Sequence, residues 1–157
     1  MKSTRRAKKR RPRSSRGLIA VQRAGAARGV PPAARLRAWA RAACRGELEV
    51  TLRVVGAAEG RRLNRSFRAR DRATNVLSFS YGRRPLRGDI VLCHPVIARE
   101  ARQQGKSLAA HYAHLVVHGM LHLRGFDHKQ KARAERMERA EIGILRRLGL
   151  GNPYTVE

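Results

Sequence analysis

Apolar positions along this chain recur with two periods, and each switch between them marks an element. Leu18 to Gln22 is a short apolar run that reads as an opening strand. Pro31-Pro32 then sets up a helix through Leu36, Trp39 and Ala43, which fall at helical intervals with Arg between them. The segment Glu47 to Val55 (ELEVTLRVV) alternates as a half-buried strand does. Glu59 to Arg68, ending in RRLNRSFR, returns to the helical period and leads into a loop over Ala69 to Thr74. Two more strands follow, Asn75 to Tyr81 (NVLSFSY) and Asp89 to Cys93 (DIVLC), parted by a Gly/Pro/Arg turn.

The rest of the chain reads as helical. Pro95 starts a helix through Gln104, and Gly105 with Ser107 interrupts it. Ser107 has the side chain to cap the next helix, which carries His111, His114, Leu115, Val117, His118, Leu121 and His122 before Gly125 stops it. A last amphipathic helix spans about Lys131 to Leu148, with Met137, Ile144, Leu145 and Leu148 on its apolar side and Gly149 at its end. Strands gather in the first half and helices in the second, with no internal repeat. This order predicts an α+β fold in which a small mixed β-sheet is packed with helices, and it places the chemistry on a C-terminal helix and its following loop.

At 157 residues, 42% of them hydrophobic, the chain supports one buried core once a polar tail is set aside. The expected organisation is a flexible basic arm over residues 1–16 followed by a single domain over residues 17–157. The arm, MKSTRRAKKRRPRSSR, has nine Lys/Arg and almost nothing apolar to offset its ordering entropy. Charge is lopsided throughout: 36 Lys+Arg stand against 11 Asp+Glu, a formal +25, and no acidic residue precedes Glu47. A polyanion is the natural partner, because basic arms bind phosphate backbones by counterion release. Arg outnumbers Lys 30 to 6, which a GC-rich coding sequence would also produce. Apolar runs are far too short to cross a bilayer, so no membrane partner and a cytoplasmic location are expected. An Arg- and Ser-rich, acid-poor start also fits an organelle address. Cys44 and Cys93 show no local pairing pattern, which suits a reducing compartment, and Cys93 sits in a strand-like run that would bury it.

The sharpest chemical signal is the string HGMLHLRGFDH. Residues four apart on a helix share a face, so His118 and His122 can aim two imidazoles at one point. Gly125 can adopt the left-handed conformation that ends the helix and turns the chain back, bringing His128 to that point as a third ligand. Three neutral nitrogens suit one Zn²⁺ per chain, and an open fourth position would hold a water acidified to a pKa near 7. Metzincin peptidases share this spacing but place their general base, a Glu, directly after the first His, where this chain has Gly119. Peptide hydrolysis therefore lacks its proton acceptor. Asp127, beside His128, is the nearest carboxylate and is a candidate base, or else holds a ligand or the loop. His114 and His111 extend the stripe backward by successive turns, His114 as a residue that orients the site or meets substrate, His111 as one that is packed or solvated.

Beyond this string, RRLNRSFRARDRATNVLSF, GDIVLC, EARQQGKSLAAHYAHLVVHGMLHLRGFDH, ERMERAE and GLGNPY occur in one order from about Leu18 to Tyr154. Together they resemble the YbeY family of bacterial endoribonucleases, the rRNA maturation factors. The resemblance implies that His118, His122 and His128 are zinc ligands and that Arg68, in SFRARD, is a functionally important arginine. It also implies single-strand-specific cleavage of RNA, maturation of the 16S rRNA 3′ end, a part in ribosome quality control, and the small ribosomal subunit and its assembly factors as partners. A guanidinium in that role makes physical sense, since it can hold two non-bridging oxygens of a phosphodiester under attack. Three departures from the family pattern are Ser80 in place of a proline, Phe126 in place of a tyrosine, and KQKAR after His128 where acidic residues are usual. None removes a ligand. The alternative function is a non-catalytic rRNA-binding assembly factor with a structural metal, although structural zinc sites normally have four protein ligands. Hydrolysis of a small molecule or peptide fits the charge least.

Overall fold

The structure, a computed structural model, describes residues 17–24, 28–68 and 74–155, with the side chains of Phe67 and Arg68 outside that description. The arm expected over residues 1–16 and most of the expected loop, residues 69–73, lie outside the described residues. The elements are β1 (Leu18–Arg23), α1 (Ala33–Ala43), β2 (Leu48–Val55), α2 (Ala57–Arg68), β3 (Val76–Arg83), β4 (Leu86–Cys93), α3 (His94–Gln103), α4 (Leu108–Leu123) and α5 (Lys131–Arg147). Every element expected from the periodicity is present. The principal differences are at ends: β4 begins at Leu86 rather than Asp89, because Leu86 and Arg87 pair with Leu48 and Glu49 and so belong to the ladder. The helix α2 starts two residues before Glu59, with Gly60 N–H bonded to the Gly56 carbonyl, and Glu59 lies in its first turn, where an acid is favoured.

The four strands form one mixed sheet in the order β1-β2-β4-β3. Neighbours β1 and β2 run parallel, as do β2 and β4, while β3 returns antiparallel to β4 through the Arg84-Pro85 turn. Alternation along the central strands sorts their side chains onto two faces. Leu48, Val50, Leu52 and Val54 of β2 join Leu86, Ile90 and Leu92 of β4 on one face, in a core shared with α1, α4 and α5. Val55, Leu77, Val91 and Cys93 occupy the other face, where Val96 of α3 and Leu63 of α2 pack. As expected, Cys93 is buried.

Helix α4 is buried along most of its length, and its N-terminus is capped by Ser107, whose hydroxyl accepts the Ala110 N–H at 3.1 Å. It lies across β3 and β4, with α5 packed against it from the outer side. Ile90, on the central strand β4, is fully buried and touches the middle of α4 at Gly119. Replacing Ile90 by Ala leaves a cavity beneath that helix, and the expected cost is about 2–5 kcal/mol, read from urea unfolding. A loss under 1 kcal/mol would show that α4 is not supported from the sheet in this way.

Candidate metal centre

Three imidazoles converge where α4 ends. His118 and His122 are one turn apart on α4, with their Nε2 atoms 3.0 Å from each other. After Leu123 the chain closes the helix in a Schellman motif: Phe126 N–H reaches the Leu121 carbonyl and Gly125 N–H the His122 carbonyl, both at 3.0 Å. Gly125 has φ +97°, a conformation that a side chain would strain, and this reversal carries His128 back to the helix. The His128 ring lies 5.8 Å from that of His118 and 5.1 Å from that of His122, centre to centre. One nitrogen from each of the three falls within 4.8 Å of the others. The expected trio is therefore brought together.

A fourth residue, absent from the sequence-based site, organises the trio from behind. Glu141 of α5 is fully buried, and its carboxylate oxygens face His118 Nδ1 at 2.7 Å and His114 Nε2 at 2.6 Å, while the Tyr154 hydroxyl donates to it as well. Burial alone would raise its pKa, but the hydrogen bonds from His114, His118 and Tyr154 outweigh that and hold it at about 2. An ionised carboxylate accepts only, so the His118 nitrogen facing it bears a proton, and the neutral tautomer with that bond has its lone pair on Nε2. That is the tautomer a metal requires. The signal for Glu141 lay in the last helix: it stands four residues after Met137 and three before Ile144, an acid inside the apolar stripe.

These donors fit a cation. Tetrahedral Zn²⁺ with bonds near 2.0–2.1 Å spaces its ligand nitrogens about 3.3 Å apart. The 3.0 Å approach of the two Nε2 atoms is close to that spacing. Glu141 is not a further ligand for the same ion, because it engages His118 through Nδ1, on the opposite edge of the ring from Nε2. Among the described residues, the trio is thus a three-ligand group at the wall of a cavity of about 770 Å³, whose lining includes Asn64, Asn75, Ser78, Ser80 and Lys129.

The other expected residues separate. Asp127 lines the same cavity, but its carboxylate accepts the Lys129 backbone N–H and pairs with Arg133, each at 3.2 Å. The Lys129 bond above all holds its carboxyl below the usual carboxylate range, which makes it a weaker base. His114 touches Glu141 and Tyr154, so it belongs to the support behind the ligands. His111 is buried and bonded to Glu100, and desolvation pushes its pKa down. Arg68 ends α2 one turn after Asn64, which lines the cavity; its side chain is outside the described residues.

Gly119, where a metzincin carries its base, packs against the sheet at Ile90 and at Ser78, which also lines the cavity. A Cβ there would stand 3.0 Å from Ile90 Cγ2 and 3.1 Å from Ser78 Oγ.

Comparison with known proteins gives consistent results. Residues 33–149 match the family model described as Endoribonuclease YbeY. A protein of Aromatoleum aromaticum named Endoribonuclease YbeY is 57% identical over 145 residues, covering 90% of this chain and 94% of its own. One of Thiobacillus denitrificans with the same name is 49% identical over 139 residues, covering 87% and 95%. The solution structure of a Thermotoga maritima protein superposes with a TM-score of 0.59 at 23% identity, covering 88% of this chain and 99% of its own, and so shares the fold.

Two outcomes test this centre. Glu141→Gln is expected to keep the fold and weaken zinc binding ten- to a hundredfold in competition with a chromophoric chelator, because the tautomer of His118 is no longer enforced; unchanged affinity would remove Glu141 from the site. Gly119→Glu is expected to lower stability by about 1–3 kcal/mol, read from urea unfolding, since a side chain there is forced into the contact with Ile90 and Ser78.

Proposed function

Because the chain belongs to the Endoribonuclease YbeY family, we propose that it is a zinc-dependent endoribonuclease specific for single strands, acting in maturation of the 16S rRNA 3′ end and in ribosome quality control. The observation that carries this reading is the trio His118, His122 and His128 on the wall of a polar cavity, with Glu141 behind it. When bound there, Zn²⁺ supplies Lewis acidity toward water and a phosphoryl oxygen.

The chain's own residues supply the rest. Glu141 keeps the Nδ1 proton of His118 in place and so fixes that ring as a ligand. Asp127 holds the turn between Gly125 and His128 through Lys129 and Arg133, and its lowered basicity suits that task better than proton abstraction. Asn75, whose amide nitrogen is bonded to Glu100, Ser78, whose hydroxyl donates to the Gly119 carbonyl, and Ser80 line the cavity with acceptor oxygens toward sugar and base edges, which an unpaired strand can turn outward. Arg68 is assigned to the phosphate: it follows Asn64 by one helical turn, and a guanidinium there neutralises charge that grows on the non-bridging oxygens. The basic arm, residues 1–16, adds affinity for rRNA without sequence preference, and the small ribosomal subunit is the partner that carries this substrate. A structural metal fits less well, since structural zinc sites are closed by four protein ligands and the nearest carboxylate in the core faces the other edge of His118.

Zinc-loaded protein is expected to cleave single-stranded RNA and to spare a duplex of the same sequence, with a chelator abolishing cleavage. His122→Ala is expected to lose zinc and activity while its circular dichroism is retained, and Arg68→Ala to lower kcat by about 10²–10³-fold with zinc content unchanged. An inactive wild type that unfolds when zinc is stripped would overturn the enzyme in favour of a structural metal.

A further inference from the structure

The metal cavity opens onto further concave surface. Asp127 lines it and also lines a neighbouring cavity of about 430 Å³ on the other side of the turn, whose walls include Arg83, Arg124, Arg133 and Arg136. Arg83 and Arg124 in turn line a third cavity of about 660 Å³, which adds Arg84. Shared residues thus link three cavities into one track, with the metal ligands at one end and five arginines along the remainder.

Two of these arginines are held in position. The Arg83 guanidinium packs on the turn, its atoms 2.7–2.8 Å from where a Cβ on Gly125 would stand. Arg124 donates to the Ala43 carbonyl at 2.9 Å, and its guanidinium lies 5.4 Å from the centre of the Phe126 ring. Counter-charge is scarce. The acids lining the two arginine cavities are Asp127 and Glu47, and Asp127 is taken by Arg133. Among the described residues, Arg83, Arg84 and Arg136 form no ion pair with a carboxylate. Several guanidinium groups of one sign in a concave wall repel each other and focus a positive potential. The ligand that relieves this repulsion is a chain of regularly spaced anions, and each phosphate of a nucleic acid strand fits a guanidinium fork.

We propose that a single RNA strand crosses the turn Gly125–Asp127 and that Arg83, Arg84, Arg124 and Arg136 hold the phosphates beyond the nucleotide at the metal. This inference rests on the endoribonuclease reading above and adds to it the side of the site on which the flanking strand lies. Longer substrates gain affinity from the groove, whereas a strand of three nucleotides is held chiefly at the metal cavity.

The test is the double substitution Arg83→Ala/Arg136→Ala in the zinc-loaded full chain, with Arg146→Ala/Arg147→Ala as a control of equal charge change. Both control positions are in the last turn of α5 and line none of the three cavities. Dissociation constants for 12- and 3-nucleotide single-stranded RNAs are read by rapid fluorescence anisotropy across a salt series, with zinc content and Tm measured alongside. The groove variant is expected to bind the 12-mer about tenfold more weakly, with a salt slope shallower by about 1.4 for two lost phosphate contacts. The control is expected to bind and cleave as the wild type does. Unchanged 12-mer binding by the groove variant, an equal loss in the control, or an equal loss for the 3-mer would each overturn the groove. Wild-type cleavage is scored separately: binding that follows the expected pattern without any cleavage would sink the proposed activity and leave the groove standing.

Discussion

The hydrogen bond between the buried Glu141 carboxylate and His118 Nδ1 is the constraint to which the rest of this structure is fitted. An anion in a protein core costs several kcal/mol unless charge-assisted hydrogen bonds satisfy it. Here His118 and His114 come from α4 and Tyr154 from the segment after α5, so the solvation of one carboxylate ties together three separate parts of the chain. The interaction acts in both directions. It makes the burial of Glu141 tolerable, and it engages Nδ1 of His118 so that Nε2 is the nitrogen turned toward His122.

The sheet fixes the opposite side of α4. Ile90 and Ser78 meet Gly119 closely, so that position has no room for a side chain, while His118 and His122 line the cavity that β3 walls with Val76, Leu77, Ser78 and Ser80. A peptidase with this His spacing needs a carboxylate next to its first ligand. In this fold that position is occupied by the helix–sheet contact. Packing therefore gives one reason why the residue after His118 is a glycine in this chain.

Much of this was legible in the sequence because it depends on local period and local chemistry. The i, i+4 pair His118 and His122, the break at Gly125 and the Ser107 cap are all decided within a few residues, and all are found in the structure. Glu141 was not read, although an acid in the stripe of Met137, Ile144 and Leu145 was visible. Its meaning depends on which helix packs against which, and periodicity carries no information on that. For Asp127 adjacency to His128 allows either a base or a residue that holds a ligand or the loop, and its bonds to Lys129 and Arg133 lie within the turn. The start of β4 was placed late because Leu86 and Arg87 gain strand character from pairing with β2, a partner far away in sequence.

The turn from Gly125 to His128 has a double task in this arrangement. Its inner side delivers the third imidazole to the other two, and its outer side is the surface against which Arg83 packs. A ligand that spans both sides must pass over the turn, so the positions of the His128 imidazole and of the flanking charges are set by the same few backbone bonds. Those bonds run from Gly125 and Phe126 back into the last turn of α4, and from Lys129 to Asp127. Any change that loosens the turn thus displaces His128 and the arginine wall together. That coupling follows from geometry: of the three converging imidazoles His128 is the one not carried on α4, and the reversal that brings it back also lines the arginine-walled cavity.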